Sequence, residues 1–294
     1  MDKNRYLFII NPKAGKKHGD IPALIKRHSP VKNAEISIKF TECAGHAEKL
    51  AADGVKQGFG NVIAAGGDGT IQETAKGIFG ADVRFGILPC GSGNGLARNM
   101  SVPLDIDLAA DGVFKWQTSS ADAGFANGNL FLVSCGAGLD AEVAHVFNSQ
   151  SHGRGILPYV WHALRIYFSY KPKTFNAVVD GKKMDLKGLV LTAMIGEQYG
   201  GGAKIAPLAV SDDGYLDLCV VRPMNTLRLL SYLPSLFSGK IHKHSGVYED
   251  IRCREFSLEY PEPFWFHLDG EDFFAENGRL SVKIAPGAFK IIRP

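Results

Sequence analysis

The run Val62-Ile-Ala-Ala-Gly-Gly-Asp-Gly-Thr-Ile-Gln-Glu-Thr-Ala-Lys-Gly-Ile-Phe79 decides how the chain is read. Val62 to Ala65 is short and apolar, the pattern of a strand buried in a parallel sheet. It stops at Gly66-Gly67-Asp68-Gly69-Thr70, after which Ile71, Thr74, Ala75 and Ile78 recur at helical spacing. The expectation is strand, glycine-rich turn, helix. Glycines 66, 67 and 69 let the backbone take conformations closed to other residues and let a bulky anion approach the peptide N–H groups. The positive end of the following helix favours the same ligand, a phosphate chain. Asp68 would repel a bare phosphate, so this reading brings Mg2+ with the nucleotide. The plainer alternative is a tight turn with Thr70 capping the helix.

Toward the N-terminus, Tyr6 to Ile10 is a first apolar strand ending in Asn11-Pro12-Lys13-Ala14-Gly15-Lys16-Lys17. Proline and glycine stop the strand, and the lysines mark a second phosphate-facing loop. Ile21 to His28 is an expected helix, Glu35 to Phe40 an alternating strand, and Thr41 the start of a helix through His46, Leu50 and Ala51. On the other side, Arg84 to Leu88 is a strand broken at Pro89-Cys90-Gly91-Ser92-Gly93-Asn94-Gly95, with a helix from near Leu96. Four βα units in roughly a hundred residues imply a doubly wound parallel sheet with helices on both faces. Ligands of such sheets bind at the carboxyl ends of the strands, where all three loops fall.

Past about Ser120 the rhythm changes. Asn127-Gly128 and Asp180-Gly181 are hairpin turns between apolar runs at Leu130 to Ser134, Phe175 to Val179 and Leu189 to Ile195. Further strands are expected at Tyr215 to Val221, Phe256 to Tyr260, Phe264 to Leu268 and Leu280 to Ile284. Helices are expected at Ala141 to Asn148, Pro158 to Tyr170 and Thr226 to Phe237. The reading is an α/β domain over 1–120, with 287–294 as a candidate completing strand, a linker near Trp116 to Asp122, and a β-rich domain over 121–286.

Composition narrows the class. With 294 residues, 45% hydrophobic and 21% charged, the chain reads as a globular enzyme. A net charge of +3 lacks the basic stripe of a nucleic-acid binder. Five scattered cysteines without a CxxC pair read as reduced thiols of a cytoplasmic protein. The N-terminus runs straight into a strand, and no stretch approaches the ~20 apolar residues of a membrane span. Any membrane contact is therefore expected to be peripheral, at the inner face. The sequence sets no oligomeric state.

Gly91-Ser92-Gly93-Asn94-Gly95 is GxGxG, not the GxGxxG of dinucleotide folds, and its spacing also fails the P-loop pattern. Taken together, Asn11-Pro12-Lys13-Ala14-Gly15, Gly66-Gly67-Asp68-Gly69-Thr70, Pro89 to Arg98 and Leu268-Asp269-Gly270-Glu271 resemble the diacylglycerol kinase and sphingosine kinase catalytic family. The likeness is to its small bacterial lipid kinases and runs from the first strand to the last. The Gly-Gly-Asp-Gly-Thr element is shared with NAD kinases. The other three separate the lipid branch from that cousin.

The resemblance implies a nucleotide domain, a C-terminal β-sandwich, and ATP in the cleft between them. It places Asn11, Pro12, Lys13, Gly15, Lys16, Thr41, Gly66, Gly67, Asp68, Gly69, Thr70, Glu73, Gly91, Ser92, Gly93 and Asn94 at the ATP site, with Asp68 beside the phosphates and Mg2+. Glu271 matches the general base that accepts the proton of a lipid hydroxyl, of diacylglycerol-like or sphingoid type. Read on its own, Asp269-Gly270-Glu271 is more readily a solvated turn between two strands. The loop Ala206 to Asp217 resembles one that holds a structural metal through the Asp213 carboxylate and the carbonyls of Val210 and Tyr215. The alternative there is a turn at Asp213-Gly214. Arg154 to Lys173 mixes aromatic and apolar residues with flanking cations, which fits an interfacial helix or a core helix with snorkelling ends. The competing functional readings are an NAD kinase-like enzyme and a non-catalytic lipid or nucleotide binder.

Overall fold

The structure, a computed structural model, describes residues 1–14, 19–30, 34–149 and 163–294. The chain divides into two units, Met1–Ala121 with Gly287–Pro294, and Asp122–Pro286.

In the first unit, strands β1 (Asp2–Ile10), β2 (Glu35–Phe40), β3 (Phe59–Gly66) and β4 (Arg84–Pro89) alternate with helices α1 (Ile21–His28), α2 (His46–Lys56), α3 (Asp68–Ile78), α4 (Gly95–Asn99) and α5 (Ile106–Lys115). The strands pair in parallel in the order β2-β1-β3-β4, and Lys290 and Ile291 add a further parallel strand beside β4. β3 is buried along its whole length, as the apolar run Val62 to Ala65 predicts for its second half, and Asn61 is buried with its amide given to the carbonyls of Lys3 and Arg5. Alternation along β1 shows the two helical layers. A Cβ on Gly54 of α2 would collide with Leu7, whereas the rings of Tyr6 and Phe8 lie 5.0 and 6.0 Å from Phe114 of α5. Neighbouring side chains of a strand point to opposite faces, so α2 and α5 cover opposite sides of the sheet. The chain order reverses between β1 and β3, which makes their carboxyl ends the topological switch point.

The second unit holds a six-stranded antiparallel sheet. Its members are β7 (Ser134–Gly138), β10 (Val190–Met194), β11 (Leu216–Val221), β12 (Tyr248–Cys253), β14 (Phe264–Leu268) and β15 (Glu271–Ala275), in the order β12-β11-β10-β7-β14-β15. The facing strands are β8 (Lys173–Val179), β9 (Lys182–Gly188), β13 (Glu255–Glu259) and the first part of β16 (Arg279–Ile292). The hairpin of β5 (Thr118–Ala126) and β6 (Asn129–Phe131) completes the set. Phe175, Phe256 and Leu258 from one sheet pack with Leu191, Leu218, Phe264 and Phe266 from the other in one buried core, the hallmark of a sandwich. Helix α6 (Leu139–Ser149) follows β7.

The expected turns at Asn127-Gly128 and Asp180-Gly181 are two-residue hairpins with positive φ at both positions. Several boundaries differ from expectation. The helix expected from Thr41 begins only at His46, because the Thr41 N–H is taken by the carbonyl of Ile10 and Gly45 stands in the left-handed region before the first turn. Leu130 to Ser134 is not one strand, since Leu132 and Val133 give their N–H groups to Asp269 instead of a ladder partner. Trp116 to Asp122, expected as a linker, is largely β5, and the two units divide within it. Of the helix expected at Pro158 to Tyr170, residues 158–162 lie outside the described residues and 163–167 are helical.

Candidate active site

The loops after β1, β2, β3 and β4 in the first unit are stitched to one another by polar side chains. The Asn11 amide donates to the Thr70 hydroxyl at 3.1 Å, tying the first loop to the third. Its own oxygen accepts from the Lys13 N–H, folding Pro12 and Lys13 into a turn. Glu73, one turn into α3, accepts the N–H groups of Gly45 (2.8 Å) and Ala47 (3.1 Å), so it caps α2 and holds the loop that begins at Thr41.

Asp68 performs the same service for the fourth loop. Its carboxylate accepts the backbone N–H groups of Asn94 (2.9 Å) and Gly95 (2.7 Å). Asn94 itself adopts φ 51°, ψ 46°, and its side chain both accepts from the N–H of Gly91 and donates to its carbonyl. Two glycines permit the approach. A Cβ on Gly91 would stand 2.7 Å from the Cα of Gly67, and one on Gly66 would stand 2.5 Å from Thr70. Burial pushes the Asp68 carboxyl up, against the opposing pull of the Gly95 and Asn94 N–H groups and the Arg98 guanidinium. A carboxylate in that state fits a cation beside it.

Gly67, at the N-cap of the eleven-residue helix α3, has no side chain to cap it, and the Asp68 carboxylate takes its own N–H in the first turn. Gly69 and Ser92 are exposed beside it. Thr70 is buried, with its hydroxyl engaged by Asn11. Thus Asn11, Pro12, Lys13, Thr41, the 66–70 turn, Glu73 and the 91–94 loop all lie at the carboxyl ends of the parallel strands. Gly15 and Lys16 lie outside the described residues.

In the second unit, Asp269-Gly270 is a two-residue hairpin with φ 51° and 89°, closing Leu268 against Glu271. It is more than a solvated turn. The Asp269 carboxylate accepts three consecutive backbone N–H groups, from Leu132 (2.8 Å), Val133 (2.8 Å) and Ser134 (2.9 Å). Asn148 of α6 donates to the Gly270 carbonyl and to Asp272. His145 of the same helix contacts Asp272 at 2.8 Å and stacks on Trp265, with ring centroids 3.7 Å apart. Burial works against the Asp272 charge, yet these two partners hold its carboxyl below the usual range. Glu271, between the clamped positions 270 and 272, is exposed on this hairpin.

The loop expected to hold a structural metal is arranged differently from the resemblance. One oxygen of Asp213 lies 2.6 Å from the Arg252 guanidinium and the other accepts the Tyr215 N–H. Arg252 also lies over the Tyr215 ring, at 4.2 Å. The Asp213 charge is answered by arginine where the resemblance gave it a cation, so the Val210, Asp213 and Tyr215 donor set does not fit Mg2+ as it stands. Among the described residues no three His, Cys, Asp or Glu side chains gather as a metal site.

The sequence reading missed the clamps. Asn94 and Asp269 lay within motifs without their clamping role being read, His145 and Asn148 had no motif at all, and only the Asp-Gly pair signalled the hairpin. It also passed over a buried group under β14, where Asp140 lies 3.1 Å from His267 and 3.2 Å from the Tyr199 hydroxyl.

Comparison with known proteins gives a consistent picture. The family profile described as "Diacylglycerol kinase catalytic domain" matches residues 5–126, and "YegS C-terminal NAD kinase beta sandwich-like domain" matches residues 133–293. The diacylglycerol kinase of Bacillus subtilis (strain 168) is 29% identical over 276 residues, covering 91% of this chain and 89% of that protein. A probable lipid kinase, YegS-like, from Pseudomonas aeruginosa (strain UCBPP-PA14) is 26% identical, covering 100% and 96%. A crystal structure of a diacylglycerol kinase from Bacillus anthracis str. Sterne shares the fold, with TM-score 0.75 and 21% identity over 100% of this chain and 98% of that one.

Proposed function

The chain belongs to the diacylglycerol kinase catalytic family, with the YegS-type C-terminal domain, and is a lipid kinase; on that premise we propose that it moves the γ-phosphoryl of ATP, with Mg2+, onto the hydroxyl of a diacylglycerol-like or sphingoid-type lipid. The observation that carries the reading is the convergence of four strand-end loops on the start of α3. Phosphoryl transfer asks the protein chiefly for positioning and charge stabilisation, and that arrangement supplies both.

In this reading residues 1–120 with 287–294 hold the nucleotide, and 121–286 present the lipid and the base. The 66–70 turn and Ser92-Gly93 offer N–H groups to the phosphate oxygens, while those of Gly91 and Asn94 hold the loop itself in shape; Asn11 and Glu73 keep the loops in register, and Lys13 adds positive charge. Asp68 would hold Mg2+, which would supply charge neutralisation to the phosphate chain. The lipid oxygen bonds to the γ-phosphorus, ADP leaves with the electrons of the broken P–O bond, and Glu271 accepts the hydroxyl proton. In this reading the enzyme works from the cytoplasmic side at a membrane surface; among the described residues no helix is long and apolar enough to cross a membrane.

The test is transfer of label from γ-labelled ATP to a micellar panel of diacylglycerol, monoacylglycerol, sphingoid base, ceramide and phosphatidylglycerol, with NAD as soluble control. Label in a lipid, abolished by EDTA, is the expected result. Label in NAD alone would overturn the reading.

A further inference from the structure

Helix Thr226–Phe237 in the second unit carries an apolar face that nothing in the protein covers among the described residues. Its inner side is fixed by Leu229 and Tyr232, both buried, and its start is capped by Asn225, whose side chain accepts the Arg228 N–H at 2.9 Å. At 100° per residue, Leu227, Leu230, Pro234 and Phe237 fall on the opposite side. Leu227 is 81% exposed, Leu230 50% and Phe237 43%. Three large apolar side chains side by side on one solvent-facing helix are unusual for an isolated globular surface.

The charge around that face is one-sided. From Leu218 to Tyr248 the sequence holds no aspartate or glutamate, while it includes Arg222, Arg228, Lys240 and Lys243. Arg222 is paired with Glu249, but Arg228, Lys240 and Lys243 form no ion pair among the described residues. The neighbouring element continues the pattern. The Tyr167 hydroxyl donates to the carbonyl of Met224, just ahead of the helix, and Phe168 beside it is 71% exposed.

We propose that this helix is a docking surface for an anionic phospholipid bilayer, with Leu227, Leu230 and Phe237 entering the interface and Arg228, Lys240 and Lys243 meeting the headgroups. An amphipathic helix with a cationic border binds such a surface through both apolar burial and charge. A second copy of this chain is a poorer occupant, because a two-fold contact would set the same unpaired cations against themselves. The proposal rests on the lipid-kinase reading only for the location of the acceptor, and its test separates the two.

The experiment is co-sedimentation of the full chain with phosphatidylcholine vesicles, with and without phosphatidylglycerol, at low and raised salt. Binding to the anionic vesicles alone, weakened by salt, is expected. Leu227→Ser with Leu230→Ser, and separately Arg228→Glu with Lys240→Glu and Lys243→Glu, should each lower the bound fraction by about tenfold or more. Both variants should still phosphorylate a short-chain, water-soluble diacylglycerol as the wild type does. Equal binding to neutral and anionic vesicles, no vesicle binding, or full binding by both variants overturns the proposal. A dimer that Leu227→Ser abolishes would overturn it in favour of a second copy. Loss of transfer to every acceptor with vesicle binding kept would count against the kinase reading and leave the docking surface standing.

Discussion

Asp68 accepts a 2.7 Å hydrogen bond from the backbone N–H of Gly95, twenty-seven residues away in sequence, and a second from Asn94. The carboxylate that interrupts the first glycine turn therefore holds the second one in place. Asp68→Ala leaves two partly buried N–H groups without an acceptor, at a cost of about 2 kcal/mol. Chemical denaturation should register that loss together with weaker Mg2+-ATP binding. An unchanged denaturation midpoint would remove Asp68 from the loop clamp.

Asp269 organises the hairpin that carries Glu271 through three backbone N–H groups of residues 132–134. Asp269→Asn keeps one acceptor oxygen and should lower kcat by about tenfold or more through misplacement of Glu271. The dissociation constant for ATP should stay near that of the wild type, since Asp269 belongs to the other unit. Equal losses in both quantities would contradict the separate roles.

Much of this was legible from local patterns. The strand and helix at 62–79, the helix at Ile21–His28 and the hairpins at Asn127-Gly128 and Asp180-Gly181 follow from apolar period and turn chemistry, which act between near neighbours. What escaped was long-range polar stitching. Glu73 looks like any solvated helical glutamate until the chain brings Gly45 and Ala47 to it. The same blindness misplaced the start of α2, because the Thr41 N–H is spent on Ile10 across the sheet. Arg252 lies thirty-nine residues from Asp213, and no spacing rule links them.

Asp217 on β11 gives the protein a distinctive pH dependence. Burial, aided by Asp250 and Asp213 and opposed by Arg252, pushes its carboxyl up to about 6. Between about pH 4 and that value the folded chain holds this proton more tightly than the unfolded chain, so stability falls as pH rises through the window. A shift of about two pK units corresponds to about 3 kcal/mol, lost in full above the folded pKa. Asp217→Asn should be more stable than the wild type at pH 8 and level with it near pH 4. Thermal melts across that range check the sign, and a variant less stable at pH 8 would refute it.

Only one thiol should react quickly in the native state. Cys43 is exposed, whereas Cys90, Cys135, Cys219 and Cys253 are buried. Burial pushes Cys90 up to about 11 and Cys253 to about 12, far from the thiolate form at neutral pH. Titration with a chromogenic disulfide should show a single fast phase that Cys43→Ser removes. Several fast phases would contradict the packing described.

The most direct measurement is transfer of phosphate from γ-labelled ATP to diacylglycerol in mixed micelles, wild type beside Glu271→Gln. The account predicts Mg2+-dependent labelling of the lipid by the wild type. The variant, with its fold and ATP binding intact, should be slower by about 10²–10⁴-fold. Transfer by Glu271→Gln at the wild-type rate would contradict it.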